Sequence, residues 1–187
     1  MNLRLMLANT VHKYGGKTVI VMGDCRMSYA QLDTDSNRVA NSLLQLGVKR
    51  GDRIALLISN IPEFAVIFFG IVKIGATAVP LDTRYTVTEL TSLFGSCQPR
   101  MLIAESNCIE PLVPFLPQFK SIEKVIDVSS KLTGQFLTYQ EIMATGSAQK
   151  VTVELTPEDI AHITYTSGST SHPKGAIQMF HEYPSLQ

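Results

Sequence analysis

Short, continuous apolar runs alternate along the chain with segments whose apolar positions recur at helical spacing. The runs have the length of β-strands and lack the polar alternation of a strand with one solvated face. Buried strands separated by helices are typical of a parallel sheet that is covered on both faces. We therefore predict an α/β fold with a mainly parallel sheet flanked by helices. The predicted buried strands occupy residues 53–59, 76–81, 101–104 and 125–128.

Helix start and stop signals stand beside the periodic segments. Ser28, followed by Gln31 at the third position after it, forms the pattern of a capping box, and Gly47 follows the last apolar position of that helix. Pro62 suits the first turn of the next helix, which we expect to reach about Lys73. Further helices are predicted from Thr86 or Thr88 to Cys97 and over residues 138–144, and the prolines at 111, 114 and 117 exclude a long helix between them.

Two turn signals place the remaining elements. The β-branched run 18–22 precedes the turn pair Gly23 and Asp24, which indicates a hairpin. Residues 156–159 carry a proline that suits the first position of a helix, so a helical turn is predicted there. The alternating run 160–166 that follows is predicted to be a strand.

The composition is that of a folded protein with balanced charge. Hydrophobic residues make up 45% of the chain and charged residues 17%, which argues against disorder. Lys and Arg together number 16, and so do Asp and Glu. Because nucleic-acid-binding proteins usually carry a basic excess or stripe, we do not expect nucleic acid as a partner.

The cysteines and the most apolar segment bear on the cellular location. Cys25, Cys97 and Cys108 lie far apart and form no metal-binding spacing, so we predict three reduced, mostly buried thiols in a cytoplasmic protein. The N-terminal residues do not have the pattern of a signal peptide. Lys73 interrupts the apolar stretch 64–81, which is predicted to be a buried helix running into a buried strand and not an integral membrane segment.

The densest chemistry in the sequence lies in residues 166–175, a loop that begins at the end of the last predicted strand. Two glycines, Gly168 and Gly175, leave backbone N–H groups free to turn toward an anion. Hydroxyl groups donate to phosphate oxygens or ligate a hydrated Mg²⁺, and Lys174 supplies a point charge. We therefore predict a phosphate-binding loop. Its hydroxyl residues are Thr166, Ser167, Ser169, Thr170 and Ser171.

Two nucleotide-binding motifs are excluded, and one structural alternative stays open. In a Walker A loop the lysine precedes a serine or threonine, whereas Lys174 precedes Gly175. No G-x-G-x-x-G pattern is present, so a dinucleotide-binding fold is not indicated. A flexible surface linker has a similar Ser/Gly/Thr composition, and residue chemistry alone places phosphate binding only slightly ahead of it.

The signature of the adenylate-forming superfamily closely resembles residues 163–176, which read ITYTSGSTSHPKGA. This superfamily includes acyl-CoA synthetases, the adenylation domains of peptide synthetases, and luciferases. Its pattern is Tyr/Phe-Thr-Ser-Gly-Ser/Thr-Thr-Gly-x-Pro-Lys-Gly-Ala/Val. Further family elements are similar, in the same order, to MSYAQL at 27–32, GVKRGDRIA at 47–55 and the run 70–81 that ends GATAVPL.

The resemblance implies a fold, a reaction and roles for the loop residues. The chain is expected to be the N-terminal part of an acyl-CoA synthetase, in which a carboxylate attacks the α-phosphate of ATP and coenzyme A then accepts the acyl group. The balanced charge and the lack of a targeting pattern favour a small or medium carboxylate as the substrate. ATP, Mg²⁺ and coenzyme A are thus the implied substrates and cofactors. Thr166, Ser167, Ser169 and Thr170 are expected to contact the β- and γ-phosphates, Lys174 to neutralise charge, and Gly168 and Gly175 to allow the shape of the loop.

The sequence departs from the family pattern at three places. Ser171 replaces the usual glycine, as it does in ligases of the carnitine and crotonobetaine group. His181 lies one position later than the family's histidine. In the family, the adenine-binding motif, the acid that helps to hold Mg²⁺, the ribose-binding aspartate and the C-terminal domain with its catalytic lysine all lie further on. Residues 1–187 are therefore interpreted as an incomplete N-terminal AMP-binding domain without catalytic residues of its own.

Three functional hypotheses stay open from the sequence. In the first, the chain is part of an acyl- or aryl-CoA ligase. In the second, it is part of a peptide-synthetase-type adenylation module that loads a carrier protein. In the third, it is a non-enzymatic fragment. We expect residues 1–187 alone not to catalyse carboxylate-dependent ATP–pyrophosphate exchange, because most of the site is missing. An incomplete sheet also predicts an uncovered apolar face and hence self-association.

Overall fold

The computed structural model describes residues 3–132, 134–166 and 174–182. Its strands form a two-stranded hairpin and a seven-stranded sheet. The strands are β1 Thr18–Met22, β2 Cys25–Ser28, β3 Arg53–Leu57, β4 Thr77–Pro80, β5 Met101–Ala104, β6 Lys124–Asp127, β7 Leu137–Thr138, β8 Ile160–Thr166 and β9 Lys174–Met179. The helices are α1 Leu3–Tyr14, α2 Tyr29–Gln45, α3 Pro62–Lys73, α4 Val87–Cys97, α5 Ser106–Ile109 and α6 Tyr139–Thr145, and 3₁₀ segments cover Glu110–Gln118 and Phe180–Glu182.

The large sheet has the strand order β7-β6-β5-β3-β4-β8-β9. Neighbouring strands are parallel from β7 to β8, and the pair β8–β9 is antiparallel. At the centre of the sheet, Ala55 lies opposite Val79 on one side and opposite Leu102 on the other. The prediction of an α/β fold with a mainly parallel sheet is confirmed.

Helices cover both faces of this sheet. Successive residues of a strand point to opposite faces, so neighbouring residues of β3 pack in different apolar clusters. One apolar cluster contains Ile54 of β3 together with Leu43 of α2 and Ile71 of α3. The other contains Ala55 of β3 and Phe94 of α4. Two adjacent residues of one strand thus belong to two separate cores, as expected for a strand that is buried on both faces.

Capping boxes begin three of the helices. The hydroxyl of Ser28 accepts a hydrogen bond from the N–H of Gln31, whose side chain accepts one from the N–H of Ser28 in return. The same reciprocal arrangement occurs at Thr86 and at Thr138. The predicted box at Ser28 is confirmed, and Thr86, not Thr88, caps α4.

The hairpin was predicted correctly, whereas the first helix was not predicted. β1 and β2 pair antiparallel across a turn in which Gly23 has a φ of 54°. The buried residues of α1 are Leu3 and Leu7. An apolar face this small gives little periodic signal in the sequence.

The predicted turn at residues 156–159 is present, with the N–H of Asp159 donating to the carbonyl of Thr156 at 3.2 Å, but it is not helical and leads directly into β8. The Asp159 carboxylate accepts a hydrogen bond from the N–H of Thr156 at 2.8 Å and forms an ion pair with Arg50 at 2.7 Å. The carbonyl of Asp159 accepts a hydrogen bond from the N–H of Phe180 at 2.9 Å. These partners commit Asp159 to the start of the strand, which outweighs the local preference of proline for a helix start.

Lys73, which interrupts the apolar stretch, is buried and hydrogen-bonded. Its side chain is 4% exposed, and its ammonium lies 2.7 Å from Oδ1 of Asp33, 2.9 Å from the carbonyl oxygen of Asp33 and 2.7 Å from Oδ1 of Asn37. Burial lowers the pKa of the Lys73 ammonium, and the hydrogen bond to Asp33 opposes this shift. The stretch is a buried helix followed by a buried strand, as predicted. No helix in the described part of the chain is long and apolar enough to cross a membrane.

The three cysteines are free, and Cys97 and Cys108 are buried while Cys25 is exposed. The prediction of mostly buried thiols is therefore confirmed. Burial raises the pKa of the Cys97 thiol to about 11, so this group stays protonated and weakly nucleophilic at neutral pH.

Residues 146–150 form a polar connector after α6, and this connector is fixed to α2. The carbonyl of Gly146 accepts a hydrogen bond from Arg38 at 3.2 Å. The side-chain amide of Asn41 donates to the carbonyls of Ser147 at 2.8 Å and Gln149 at 2.9 Å. The connector is thus held through its backbone, which its polar composition alone did not indicate.

Candidate functional site

A cleft of about 660 Å³ opens at the edge of the sheet where the carboxyl ends of β3, β4 and β8 meet. Ligands commonly bind at this edge of a parallel sheet, because the loops after several strands converge there. The cleft is lined by residues 58–60 with Phe64, by residues 80–85, and by Thr164 with Tyr165. The end of β8 that enters the predicted phosphate-binding loop therefore borders the cleft.

The two ends of that loop lie side by side. β8 and β9 pair with Thr166 opposite Lys174 and Tyr165 opposite Gly175. The structure thus brings the backbones of Thr166, Lys174 and Gly175 together, while the side chains of Thr166 and Lys174 lie outside its described part. Four of the predicted phosphate-binding residues also lie outside the described residues, so their contacts stay predictions: Ser167, Gly168, Ser169 and Thr170.

Close packing explains a glycine at position 175. A Cβ there would lie 3.0 Å from Cγ2 of Ile163 and 3.3 Å from two ring atoms of Tyr165. Such contacts are tighter than a strand side chain normally makes, and glycine avoids them. The structure thereby gives Gly175 a packing role beside the ring of Tyr165, in addition to its predicted role in the shape of the loop.

Tyr165 connects the end of β8 to helix α4. Its ring packs against the apolar cluster that includes Leu93 and Phe94 of that helix. Its hydroxyl lies 3.1 Å from the hydroxyl of Ser96. The strand end that precedes the loop is therefore bonded to a helix that packs on the sheet.

An ion pair between Asp82 and Arg84 lies on the rim of the cleft. Nη2 of Arg84 is 2.7 Å from Oδ2 of Asp82, while Nε and the backbone N–H of Arg84 lie 3.0 Å and 2.9 Å from Oδ1. The hydrogen bonds from Arg84 lower the pKa of Asp82 to about 2, so the carboxylate is ionised at neutral pH. The Arg84 side chain is 88% exposed, and Asp82 balances its charge.

Sequence reasoning missed three charged residues at this edge of the sheet, namely Asp82, Arg84 and Glu105. Oε1 of Glu105 accepts a hydrogen bond from the N–H of Ser59 at 2.5 Å and so joins the segments that follow β5 and β3. Each of the three comes shortly after the end of a buried strand. That position is the signal that could have identified them, because residues just after parallel strands face the ligand edge.

Among residues 3–132, 134–166 and 174–182, no group of three or more His, Cys, Asp or Glu side chains could hold a metal ion. Mg²⁺ prefers carboxylate, phosphate and water oxygens. Asp82 of the cleft is already engaged by Arg84.

A family model described as AMP-binding enzyme matches residues 7–183 of the chain. The crotonobetaine/carnitine–CoA ligase of Salmonella paratyphi B is 33% identical over an aligned length of 194 residues. The alignment covers 94% of this chain. The chain spans only 36% of the length of that curated relative.

Two solved structures show the same arrangement of elements. The anthranilate CoA ligase AuaEII in complex with anthranoyl-AMP superposes with a TM-score of 0.91 at 26% identity, over 96% of this chain and 35% of its own. The inhibitor-bound N-terminal domain of FACL13 from Mycobacterium tuberculosis gives a TM-score of 0.86 at 30% identity, over 96% of this chain and 44% of its own.

Proposed function

Because the chain belongs to the AMP-binding enzyme family, we propose that it is the N-terminal part of an AMP-forming acid–thiol ligase. Such an enzyme activates a carboxylic acid with ATP and transfers the acyl group to coenzyme A. The observation that carries the proposal is the position of the loop ends, which lie at the carboxyl edge of a parallel sheet and beside a cleft. Similarity to a CoA ligase and to a ligase that holds an acyl-adenylate supports it.

The proposed reaction has two steps. In the first step, a carboxylate oxygen bonds to the α-phosphorus of ATP while the bond to the bridging oxygen breaks, and pyrophosphate leaves. In the second, the thiol of coenzyme A loses its proton and bonds to the acyl carbon, and AMP leaves. Negative charge grows on the departing pyrophosphate in the first step, so donors and cations held against its oxygens favour that step.

The loop supplies such groups in this proposal. Its hydroxyl residues donate to the β- and γ-phosphate oxygens, Lys174 neutralises part of their charge, and Gly168 lets the backbone approach them. A Mg²⁺ ion bound to the polyphosphate would neutralise further charge and be held mainly by phosphate, water and hydroxyl oxygens. The hydroxyl residues concerned are Thr166, Ser167, Ser169 and Thr170.

Residues 1–187 are proposed to supply only part of an active site. The chain spans 36% of the length of a curated relative, and the family's adenine-binding motif and catalytic lysine are not found in its sequence. Coenzyme A, and not a carrier protein, is proposed as the thiol because the relative is named as a CoA ligase. A small or medium carboxylate as the acid, a cytoplasmic location and self-association stay predictions.

Lys174→Ala is expected to weaken the binding of Mg·ATP to the purified chain by about tenfold or more. A charge-assisted contact to phosphate contributes about 1.5 kcal/mol or more, and about 1.4 kcal/mol corresponds to a factor of ten in the dissociation constant. Isothermal titration calorimetry on the wild-type and variant chains measures the difference. Lys120→Ala is the matched control, because Lys120 is exposed and does not line the cleft. Equal dissociation constants for the wild-type and Lys174→Ala chains would remove Lys174 from its assigned role.

A further inference from the structure

We propose that Ser96, Tyr165 and Gly175 form a clamp that fixes the separation and register of the two strand ends flanking the phosphate-binding loop. The inference rests on the proposed function, because it gives these residues a positioning role in nucleotide binding. Ser96 and Tyr165 are not among the predicted phosphate contacts. Their role would be exerted through the backbone of Thr166 and Lys174, the next cross-strand pair toward the loop.

The first part of the clamp is the contact between the Tyr165 ring and β9. Tyr165 and Gly175 are direct partners across the ladder, so a side chain at either position lies on the same face. A Cβ at position 175 would come within 3.3 Å of Cε1 and Cζ of Tyr165, which places the ring close against the glycine backbone. An aromatic ring that covers a cross-strand glycine supplies the packing that the missing side chain cannot give.

The second part is the bond that holds the ring in this place. The hydroxyl of Tyr165 lies 3.1 Å from that of Ser96, which stands on α4. The neighbouring residues Phe94 and Cys97 of this helix are 1% and 2% exposed, so α4 is anchored in the core. The ring is thus held by the helix on one side and contacts β9 on the other.

The clamp also relates the loop to the cleft. Helix α4 begins after Thr86, shortly beyond the Asp82–Arg84 ion pair on the cleft rim, and carries Ser96 near its other end. Tyr165 itself lines the cleft. A single anchored helix therefore begins close to the rim and is bonded, near its other end, to the strand end that enters the loop.

A purely structural role makes a different prediction from a positioning role. The Ser96–Tyr165 bond is exposed, so its loss should change global stability little. In the clamp, its loss should loosen β9 locally and weaken nucleotide binding. Local hydrogen exchange and nucleotide affinity therefore distinguish the two roles, whereas an unfolding midpoint does not.

Tyr165→Phe and Ser96→Ala are each expected to speed amide exchange in residues 175–179 by about three- to tenfold, the ratio that one net hydrogen bond provides. Exchange in β3 should stay unchanged, and the dissociation constant of Mg·ATP should rise by a similar factor. The double variant should be no worse than either single variant, because both remove the same bond. Ser92→Ala, which removes an exposed hydroxyl about one turn earlier on α4, is the matched control and should change neither quantity.

The two readouts separate failure of the clamp from failure of the proposed function. Unchanged exchange in residues 175–179 of both variants overturns the clamp. Faster exchange with an unchanged Mg·ATP dissociation constant overturns its positioning role. If the wild-type chain does not bind Mg·ATP, the proposed function fails for this chain, and the exchange measurement still decides whether the clamp holds β9.

Discussion

Gly146→Ala is expected to lower the free energy of unfolding by about 3 kcal/mol, at the upper end of the usual cost of overpacking. A Cβ at this position would lie 2.0 Å from the carbonyl oxygen of Arg38, 2.6 Å from its carbonyl carbon and 2.7 Å from the hydroxyl of Ser42. The first two atoms belong to the backbone of α2, whose apolar face is packed on the sheet. Relief of the overlap therefore requires the connector to move away from α2, with loss of the bonds that it makes there.

Urea denaturation followed by circular dichroism measures this effect. Gly95→Ala is the matched control, because nothing lies within 4 Å of the Cβ that it adds to the exposed face of α4. Alanine in an exposed helix is more stable than glycine by about 0.5–1 kcal/mol, so the control should gain stability. An unchanged free energy of unfolding in Gly146→Ala would show that the connector does not lie against α2 as described.

Lys73→Ala is expected to cost about 3 kcal/mol of stability. Removal of one partner of a buried ion pair typically costs about 3–5 kcal/mol, and the lower end applies because the Asp33 side chain is 30% exposed. The substitution leaves a carboxylate, a carbonyl and the Asn37 amide oxygen without their ammonium donor. Lys13→Ala, an exposed position on α1, should change stability by no more than about 0.5 kcal/mol. Equal denaturation midpoints for the two variants would contradict a buried role for Lys73.

The lowered pKa of Lys73 also predicts how the stability of the chain changes with pH. Burial lowers the pKa of Lys73 in the folded chain below its ordinary value of 10.5. Between the two pKa values the unfolded chain binds more protons at this site, so the site's contribution to stability rises with pH. The cost of holding the charged form is present in full below the folded pKa and disappears as the pH approaches 10.5. The stability of the wild-type chain relative to Lys73→Met should therefore increase through this alkaline window, and a flat or falling difference would contradict the shift.

The elements that could be predicted from the sequence are those with local causes. The capping box at Ser28 and the helix start at Pro62 depend on neighbouring residues, and both are present. The turn predicted as helical at residues 156–159 is not helical, because Arg50, far away in sequence, binds Asp159 and holds it at the start of β8. Local preference is a weak guide wherever a long-range ion pair and a sheet compete for the same residue.

The candidate site divides in the same way. The loop at residues 166–175 was predictable because its glycines, hydroxyls and lysine are adjacent in the chain. The bond between Ser96 and Tyr165 spans 69 positions and arises from the packing of α4. The place of Arg84 and Tyr165 in the same cleft depends on the strand order, which sets β8 next to β4. A local motif carries no information about either relation.

Calorimetric titration of the purified chain with Mg·ATP, Mg·tripolyphosphate and AMP tests most directly whether residues 166–175 bind polyphosphate. Mg·tripolyphosphate should bind with an affinity within about tenfold of that of Mg·ATP, because the contacts proposed for this chain are to phosphate oxygens. AMP lacks the β- and γ-phosphates and should bind at least about tenfold more weakly. A phosphate-binding loop at residues 166–175 would be contradicted if AMP bound as tightly as Mg·ATP. It would also be contradicted if neither Mg·ATP nor Mg·tripolyphosphate bound.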